Sequence, residues 1–284
     1  MLDFDPSRPP VPPRPASTVL PLRDRDGRVE VFCVVRHPKS GFLGGVVAFP
    51  GGKVDAGDSE AAYDEVVTDV HPSLLRLAEP AAPPRALAIA ACRESLEEAA
   101  IVPTVGDALD AAGAIELREA LNAGKPLATA LRERGLRLDL GRLHTFARWV
   151  TPTAESRRFD ATFFLLVAPR GQEGAFDAHE TTSGFWETPS SVLERWARGE
   201  IQLAPPTVRC LELLAGCART SDAVALVDEQ SLLPICPKFV ADASGPMLAL
   251  PGDPAHDIAE KRVNGPTRFV LRDGRFVGTD PPPT

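Results

Sequence analysis

The sequence predicts an α/β fold in which a mixed sheet carries helices on both faces. Two observations point there. Short runs dense in β-branched and aromatic residues, Val29 to Arg36 (VEVFCVVR), Leu143 to Val150 (LHTFARWV) and Ala161 to Val167 (ATFFLLV), read as strands. Stretches of good helix formers, about Arg85 to Ala100, Ser190 to Arg198 and Thr207 to Ala218, read as helices. Because the two kinds of segment are interleaved, helices must stack on the sheet.

Taken in order, residues 1–15 are proline-rich and read as an extended arm. STVLPLRDRDGRVEVFCVVRH follows as two strands around Asp26-Gly27, a hairpin dipeptide. SGFLGGVVAFPGGK is a glycine-rich connection around a short strand, Val46 to Phe49. Residues from about 59 to 85 show no period and hold Pro80, Pro83 and Pro84, so an insertion with one short helix is expected. Residues 106–135 are alanine-rich and read as helical. The main domain is expected over 16–220. Residues 221–284 read as a small β-rich appendage, with a hairpin about Asp273-Gly274. Whether this tail covers a site, packs on the core or mediates a homodimer stays open at this level.

Apolar residues at 44% and charged residues at 25% of the 284 are ordinary for a soluble globular protein. A net charge of −8 excludes a protein that coats nucleic acid, which needs a broad cationic surface. It leaves room for a small anionic substrate held by a metal ion and a few arginines. Cys33, Cys92, Cys210, Cys217 and Cys236 form no CxxC pair and read as reduced core residues. No charged, apolar leader opens the chain and no apolar run is long enough to span a bilayer, so a cytoplasmic protein without membrane contact is expected.

The chemistry is concentrated in ACRESLEEAAI, Ala91 to Ile101. On a helix, Glu94, Glu97 and Glu98 fall at about 0°, 300° and 40°, opposite Ile89, Cys92 and Leu96 at about 220°, 160° and 200°. Like charges at these spacings destabilise a helix by roughly 0.2–0.5 kcal/mol per pair. Arg93 relieves part of this through Glu97 at i+4, and a divalent cation would relieve more. An isolated ExxEE is usually a solvated face. The turn Phe49-Pro50-Gly51-Gly52-Lys53 upstream changes that reading. Its glycines allow close backbone approach, offering a carbonyl to a metal and bare N–H groups to phosphate.

Together these residues resemble the Nudix box, G-x5-E-x7-R-E-U-x-E-E-x-G-U, where U is aliphatic. Gly52 opens it and Asp58 stands where the pattern has glutamate. Arg93, Glu94, Glu97, Glu98 and Ile101 match the second half, while Ser95 and Ala100 replace an aliphatic residue and a glycine. Thirty-four residues separate Asp58 from Arg93 where the pattern has seven. An interruption at this place, together with RHPKSGFLGGVVAFPGGKVDAGD, WVTPTAESRRFDATFF and GFWETPSSVLERWARGEIQLAPPT, is similar to the Nudix motif 19 branch of coenzyme A diphosphatases.

The resemblance implies a Nudix-type α/β/α sandwich and a hydrolase of diphosphate bonds that uses Mg²⁺, with Mn²⁺ as the alternative. It implies Glu97, Glu98, Glu94 and Gly52 as metal ligands, with Arg93 beside them. Glu98 or a later carboxylate, Glu180 or less favourably Asp177, would be the general base. His179 beside Glu180 is a further candidate base. Gly51, Gly52, Arg36, Arg148, Arg157 and Arg158 are candidate phosphate contacts, since arginine donates two parallel hydrogen bonds to phosphate. The implied substrate is a nucleotide-type small molecule, coenzyme A or acyl-coenzyme A, cut to 3′-phospho-ADP and 4′-phosphopantetheine. ADP-ribose, NADH, dinucleoside polyphosphates and a non-catalytic binding module remain alternatives. One departure stands out: Gly41 occupies a position where other coenzyme A diphosphatases carry arginine.

Overall fold

The computed structural model describes all residues except 1–4, 6, 8, 39–43, 106–108, 179–180, 243–244 and 282–284. Strand β1 (Arg14–Arg25) and β2 (Arg28–Arg36) form the predicted hairpin. Asp26 at φ 50 and Gly27 at φ 73 supply the two left-handed residues that a tight hairpin turn requires. The arm is shorter than its proline content suggested. Arg14 and Pro15 already pair with Phe159 and Asp160, because β8 (Phe159–Val167) runs parallel to β1 and extends to its first residue.

The sheet order is β3-β2-β1-β8-β7, with β3 at Val47–Ala48 and β7 at His144–Val150, while β5 (Thr104–Val105) and β6 (Arg137–Leu138) pair separately. β9 (Thr181–Glu187) pairs with β2, and β4 (Gly51–Lys53) pairs with β1. β1 serves two partners along one edge. Its first half takes β4, with Ser17 opposite Gly52, and its second half takes β2, with Leu22 opposite Val31. The chain therefore leaves β3, bends through Phe49 and Pro50, and re-enters the sheet at the paired glycines.

Alternation along the strands sends successive side chains to opposite faces. On one face Val19, Phe164 and Leu166 meet helix α1 (Pro84–Ala99) through Leu87, Ile89 and Leu96. On the other, Leu20, Leu22, Phe163 and Leu165 meet Val192 of α4 (Pro189–Ala197) and Val208 and Leu211 of α5 (Pro205–Leu214). This is the predicted α/β/α layering.

The insertion differs from expectation. In place of one short helix it forms two 3-10 turns, at 61–63 and 72–76, after a further one at 56–59 that carries Asp58. It also packs inward: Tyr63, Val66, Val67, Leu74 and Leu77 join the α1 core. Backbone bonds from Thr68 N to Leu138 O (2.9 Å) and Leu138 N to Val66 O (2.8 Å) fasten it to the segment after the next helices. Those helices, α2 (Ala111–Asn122) and α3 (Leu127–Glu133), occupy the stretch expected to be helical and are parted at Gly124 and Pro126. The start of that expectation, 106–108, lies outside the described residues.

The tail is β-rich as expected and packs on the core, one of the arrangements left open. After α6 (Thr220–Ala225) it builds a four-stranded antiparallel sheet of β10 (Lys238–Asp242), β11 (Gly245–Ala249), β12 (Arg268–Arg272) and β13 (Arg275–Thr279). Leu248, Leu250, Val263 and Phe269 are buried in the same core as α4 and α5. Ile235 bonds to the edge of β7 through Val150 N to Ile235 O (2.8 Å) and Ile235 N to Arg148 O (2.9 Å). Cys33, Cys92 and Cys210 are buried free thiols, and burial raises each thiol pKa above its ordinary value. Among the described residues no helix is long and apolar enough to cross a membrane.

Candidate active site

Helix α1 begins with Pro84 at its first position, where the missing N–H costs nothing, and ends where Ala100 turns left-handed at φ 51. Ala100 N bonds to Leu96 O and Ile101 N to Ser95 O, a left-handed closure that usually recruits glycine. The last two turns carry the carboxylates, and they face β4 rather than open solvent. Glu94 is 9% and Glu98 2% exposed.

Close approach to the paired glycines explains this burial. A Cβ placed on Gly52 would lie 2.5 Å from the Glu94 carboxylate, so the carboxylate packs directly on the glycine backbone. A Cβ on Gly51 would lie 2.5 Å from Ser17 O, so this position is closed by the neighbouring strand. Gly51 N donates to Glu98 Oε2 at 2.9 Å, which ties the turn to the helix.

Arg93 holds the acidic end together. Its Nε and Nη2 donate to the two oxygens of Asp58 at 2.9 and 3.0 Å. Nη1 reaches Glu94 Oε1 at 2.7 Å and Glu97 Oε2 at 3.1 Å, and Nη2 also donates to Lys53 O at 2.9 Å. Burial disfavours the guanidinium charge. The bonds to Asp58 and the charges of Glu94, Asp58 and Glu97 outweigh that and hold the arginine pKa above its ordinary value. Asp58 is 2% exposed and accepts Asp55 N at 2.8 Å, in a 3-10 turn capped by the Asp55–Asp58 pair. One methylene shorter than glutamate, it still forms a two-pronged pair with Arg93, because the turn carries its backbone close to the helix.

A cavity of about 530 Å³ opens beside this cluster. Gly51, Gly52, Lys53, Asp55, Arg93, Glu94 and Glu97 line one end. Arg36, Val46 and Ala48 line it from β2 and β3. Trp149, Phe159 and Phe163 from β7 and β8, Pro205 and Pro206 from α5, and Pro237 and Leu248 from the tail make the remaining wall apolar. Glu98 is not among the lining residues.

The predicted arginines part ways. Arg36 lines the cavity, half-buried, and its Nε is buried with no hydrogen-bond partner among the described residues. Arg148 does not line it. Its guanidinium pairs with Asp160 at 2.7 and 2.8 Å and donates to Ala78 O and Glu79 O, pinning the insertion on the α1 side of the sheet. The alternation explains this, since Trp149 beside it faces the cavity and Arg148 must face away. Arg158 is buried and donates to Thr151 O at 3.0 Å and Val11 O at 2.7 Å. Arg157 is exposed and is not a lining residue. Glu180 and His179 lie outside the described residues, while Asp177 is buried and Thr181 bonds to its carbonyl. Sequence reading missed the apolar wall. The same alternation places Trp149, Phe159 and Phe163 on one face, and a two-residue count along β7 and β8 could have found it.

Several known proteins are similar to this chain. A family model described as the NUDT19 Nudix domain matches residues 78–214, which contain α1 and both strands of the apolar wall. The acyl-coenzyme A diphosphatase NUDT19 of Homo sapiens is 28% identical over 84% of this chain and 76% of its own length. The protein of that name from Gallus gallus is 25% identical over 86% of this chain and 78% of its own. A crystal structure of a NUDIX hydrolase from Alicyclobacillus acidocaldarius is 31% identical with a TM-score of 0.64, covering 76% of this chain and 96% of that one. At that identity and coverage the kinship extends beyond a shared fold, and the chain is an enzyme of the Nudix hydrolase family.

Proposed function

We propose that the enzyme cleaves the diphosphate of coenzyme A or an acyl-coenzyme A, giving 3′-phospho-ADP and a 4′-phosphopantetheine product, with Mg²⁺ as the natural cofactor and Mn²⁺ as a substitute. The relatives named acyl-coenzyme A diphosphatase support the substrate class. The observation that carries the reaction class is the Glu94 carboxylate packed on Gly52 and joined to Glu97 through Arg93 at one end of the cavity.

The residues fit a divalent cation by donor chemistry. Among the described residues no three acidic, histidine or cysteine side chains converge into a ready-made cage. Arg93 Nη1 bonds to both Glu94 and Glu97, so a guanidinium already balances the charge there. Carboxylate oxygens suit Mg²⁺, which also binds through substrate phosphates. Glu94 and Glu97 would hold the ion, with Gly52 and Glu98 adjoining. When bound, it supplies charge neutralisation at the phosphates and a more acidic water.

The chain's own groups supply the rest. Arg93 fixes the rotamers of Glu94 and Glu97, so their carboxylates need little reorganisation as charge develops. Glu98 holds the glycine turn through Gly51 N. Glu97, with 31% of its side chain exposed, is the more open of the two carboxylates that would hold the ion. The apolar wall excludes bulk water and strengthens each polar contact inside.

The test is incubation with Mg²⁺ and, separately, coenzyme A, acyl-coenzyme A, ADP-ribose, NADH and a dinucleoside tetraphosphate, with products resolved by chromatography. Release of 3′-phospho-ADP is expected. Turnover of the other compounds but not coenzyme A would overturn the substrate. Glu97→Gln and Glu98→Gln should each cut turnover by about 10²-fold or more with the fold intact. Near wild-type rates in both would remove the site assignment.

A further inference from the structure

The arginines around the cavity differ in one respect. Arg93, Arg148 and Arg158 spend their guanidinium groups on carboxylates or carbonyls. Arg36 does not: its Nε is buried without a hydrogen bond among the described residues, although the residue lines the cavity. A guanidinium keeps its charge at every accessible pH. Burying one of its donors without a partner costs stability unless a ligand completes the set.

The backbone holds Arg36 in place. Its N donates to Val46 O at 3.1 Å, and its O accepts Gly45 N at 3.0 Å. The pairing register with β9 shifts between Val35 and Arg36, an irregularity that re-aims a side chain. Arg36 thus enters at Val46, six residues ahead of Gly52 along a segment that includes β3 and β4. The cleaved group belongs at the Gly52 end, beside the carboxylates that would hold the metal ion. A second cation at the β2–β3 edge suits a phosphate that is not cleaved.

Resting on the diphosphatase reading, we propose that Arg36 binds a phosphate monoester of the substrate outside the cleaved diphosphate. In a coenzyme A type substrate that group is the ribose 3′-phosphate. The planar fork of arginine matches a terminal phosphate through two parallel hydrogen bonds. Arg36 is then a specificity residue: it sets binding and preference, and takes no part in bond cleavage.

Wild-type, Arg36→Gln and Arg36→Lys proteins are to be titrated calorimetrically with adenosine 3′,5′-bisphosphate and with AMP. Their kcat/KM is to be measured with Mg²⁺ on coenzyme A and on 3′-dephospho-coenzyme A, and thermal midpoints check the fold. Wild-type protein should favour the bisphosphate and coenzyme A by about tenfold to hundredfold. Arg36→Gln should abolish both preferences while changing AMP affinity and dephospho-coenzyme A turnover by less than about threefold. Arg36→Lys should keep part of each preference. Equal binding of bisphosphate and AMP by the wild type overturns the assignment. An equal loss on both substrates in Arg36→Gln also overturns it, placing the arginine on the cleaved diphosphate. Bisphosphate preference without coenzyme A cleavage sinks the diphosphatase reading and leaves the phosphate site standing.

Discussion

Replacing Gly52 with alanine separates catalysis from folding. The added Cβ would stand 2.5 Å from Glu94 Cδ and Oε2 and 2.6 Å from Oε1. Ordinary contact begins near 3.4 Å, so the carboxylate must retreat by about 1 Å. It is the far end of a flexible side chain, and Gly52 is not at positive φ, so the backbone accepts alanine. The retreat breaks the 2.7 Å bond to Arg93 and turns the carboxylate away from the cavity. A misplacement of about 1 Å in a catalytic constellation costs on the order of 10²-fold in rate, while stability should fall by only about 1 kcal/mol.

Gly51→Ala is the matched control. There the Cβ would meet Ser17 O at 2.5 Å and Thr18 Cα at 2.8 Å, both backbone of β1. Strand backbone cannot retreat as a side chain can, and forcing it apart should cost about 1–3 kcal/mol, or very roughly 2–10 °C in Tm. The assay pairs kcat on the cleaved substrate at saturating Mg²⁺ with calorimetric Tm for each variant. Gly52→Ala within threefold of wild-type kcat would refute the claim that the Glu94 contact organises the site. Equal Tm losses in the two variants would refute the distinction between side-chain and backbone yielding.

Other consequences follow from single contacts. Arg93→Lys removes the fork and leaves the buried Asp58 with its bond from Asp55 N and at most one from the lysine, so stability should drop by about 3–5 kcal/mol in urea unfolding. Phe269→Ala, in the tail but fully buried in the α4–α5 core, should cost about 3–5 kcal/mol; a change below about 1 kcal/mol would show that the tail folds apart from the domain. The His71 and His144 rings lie 4.2 Å apart. Desolvation lowers both pKa values, with Arg142 and each other adding to it at His144 and Asp228 opposing. The unfolded chain therefore binds protons more readily than the fold. This share of stability is complete above the ordinary value of 6.5 and is lost as pH falls through the lower folded values. His144→Gln should flatten the slope of unfolding free energy between pH 7 and 5, and an unchanged slope would count against the pair.

Part of this molecule follows from local chemistry. The Asp26-Gly27 turn, the helix formers of α1 and the acidic face of that helix depend on neighbours a few residues apart, so the sequence alone determined them. The fold class was legible from the interleaving of strands and helices, and the place of Glu94, Glu97 and Arg93 near Gly52, about 40 residues away, only through the resemblance to the Nudix box. Contacts between distant segments were not. The insertion, read only as an aperiodic stretch, buries its apolar side chains in the α1 core and gives its carbonyls to Arg148. Arg148 and Arg36 are the same residue type on two strands of one sheet, β7 and β2, and only packing made one a structural clamp and left the other facing a cavity. The tail became part of a core and a wall of the cavity because Ile235 bonds to a strand edge 85 residues earlier. Local preference fixes turns, helices and alternation; which surfaces meet is decided by the burial of apolar area and the pairing of charges across the whole chain, and no short window of sequence contains that sum.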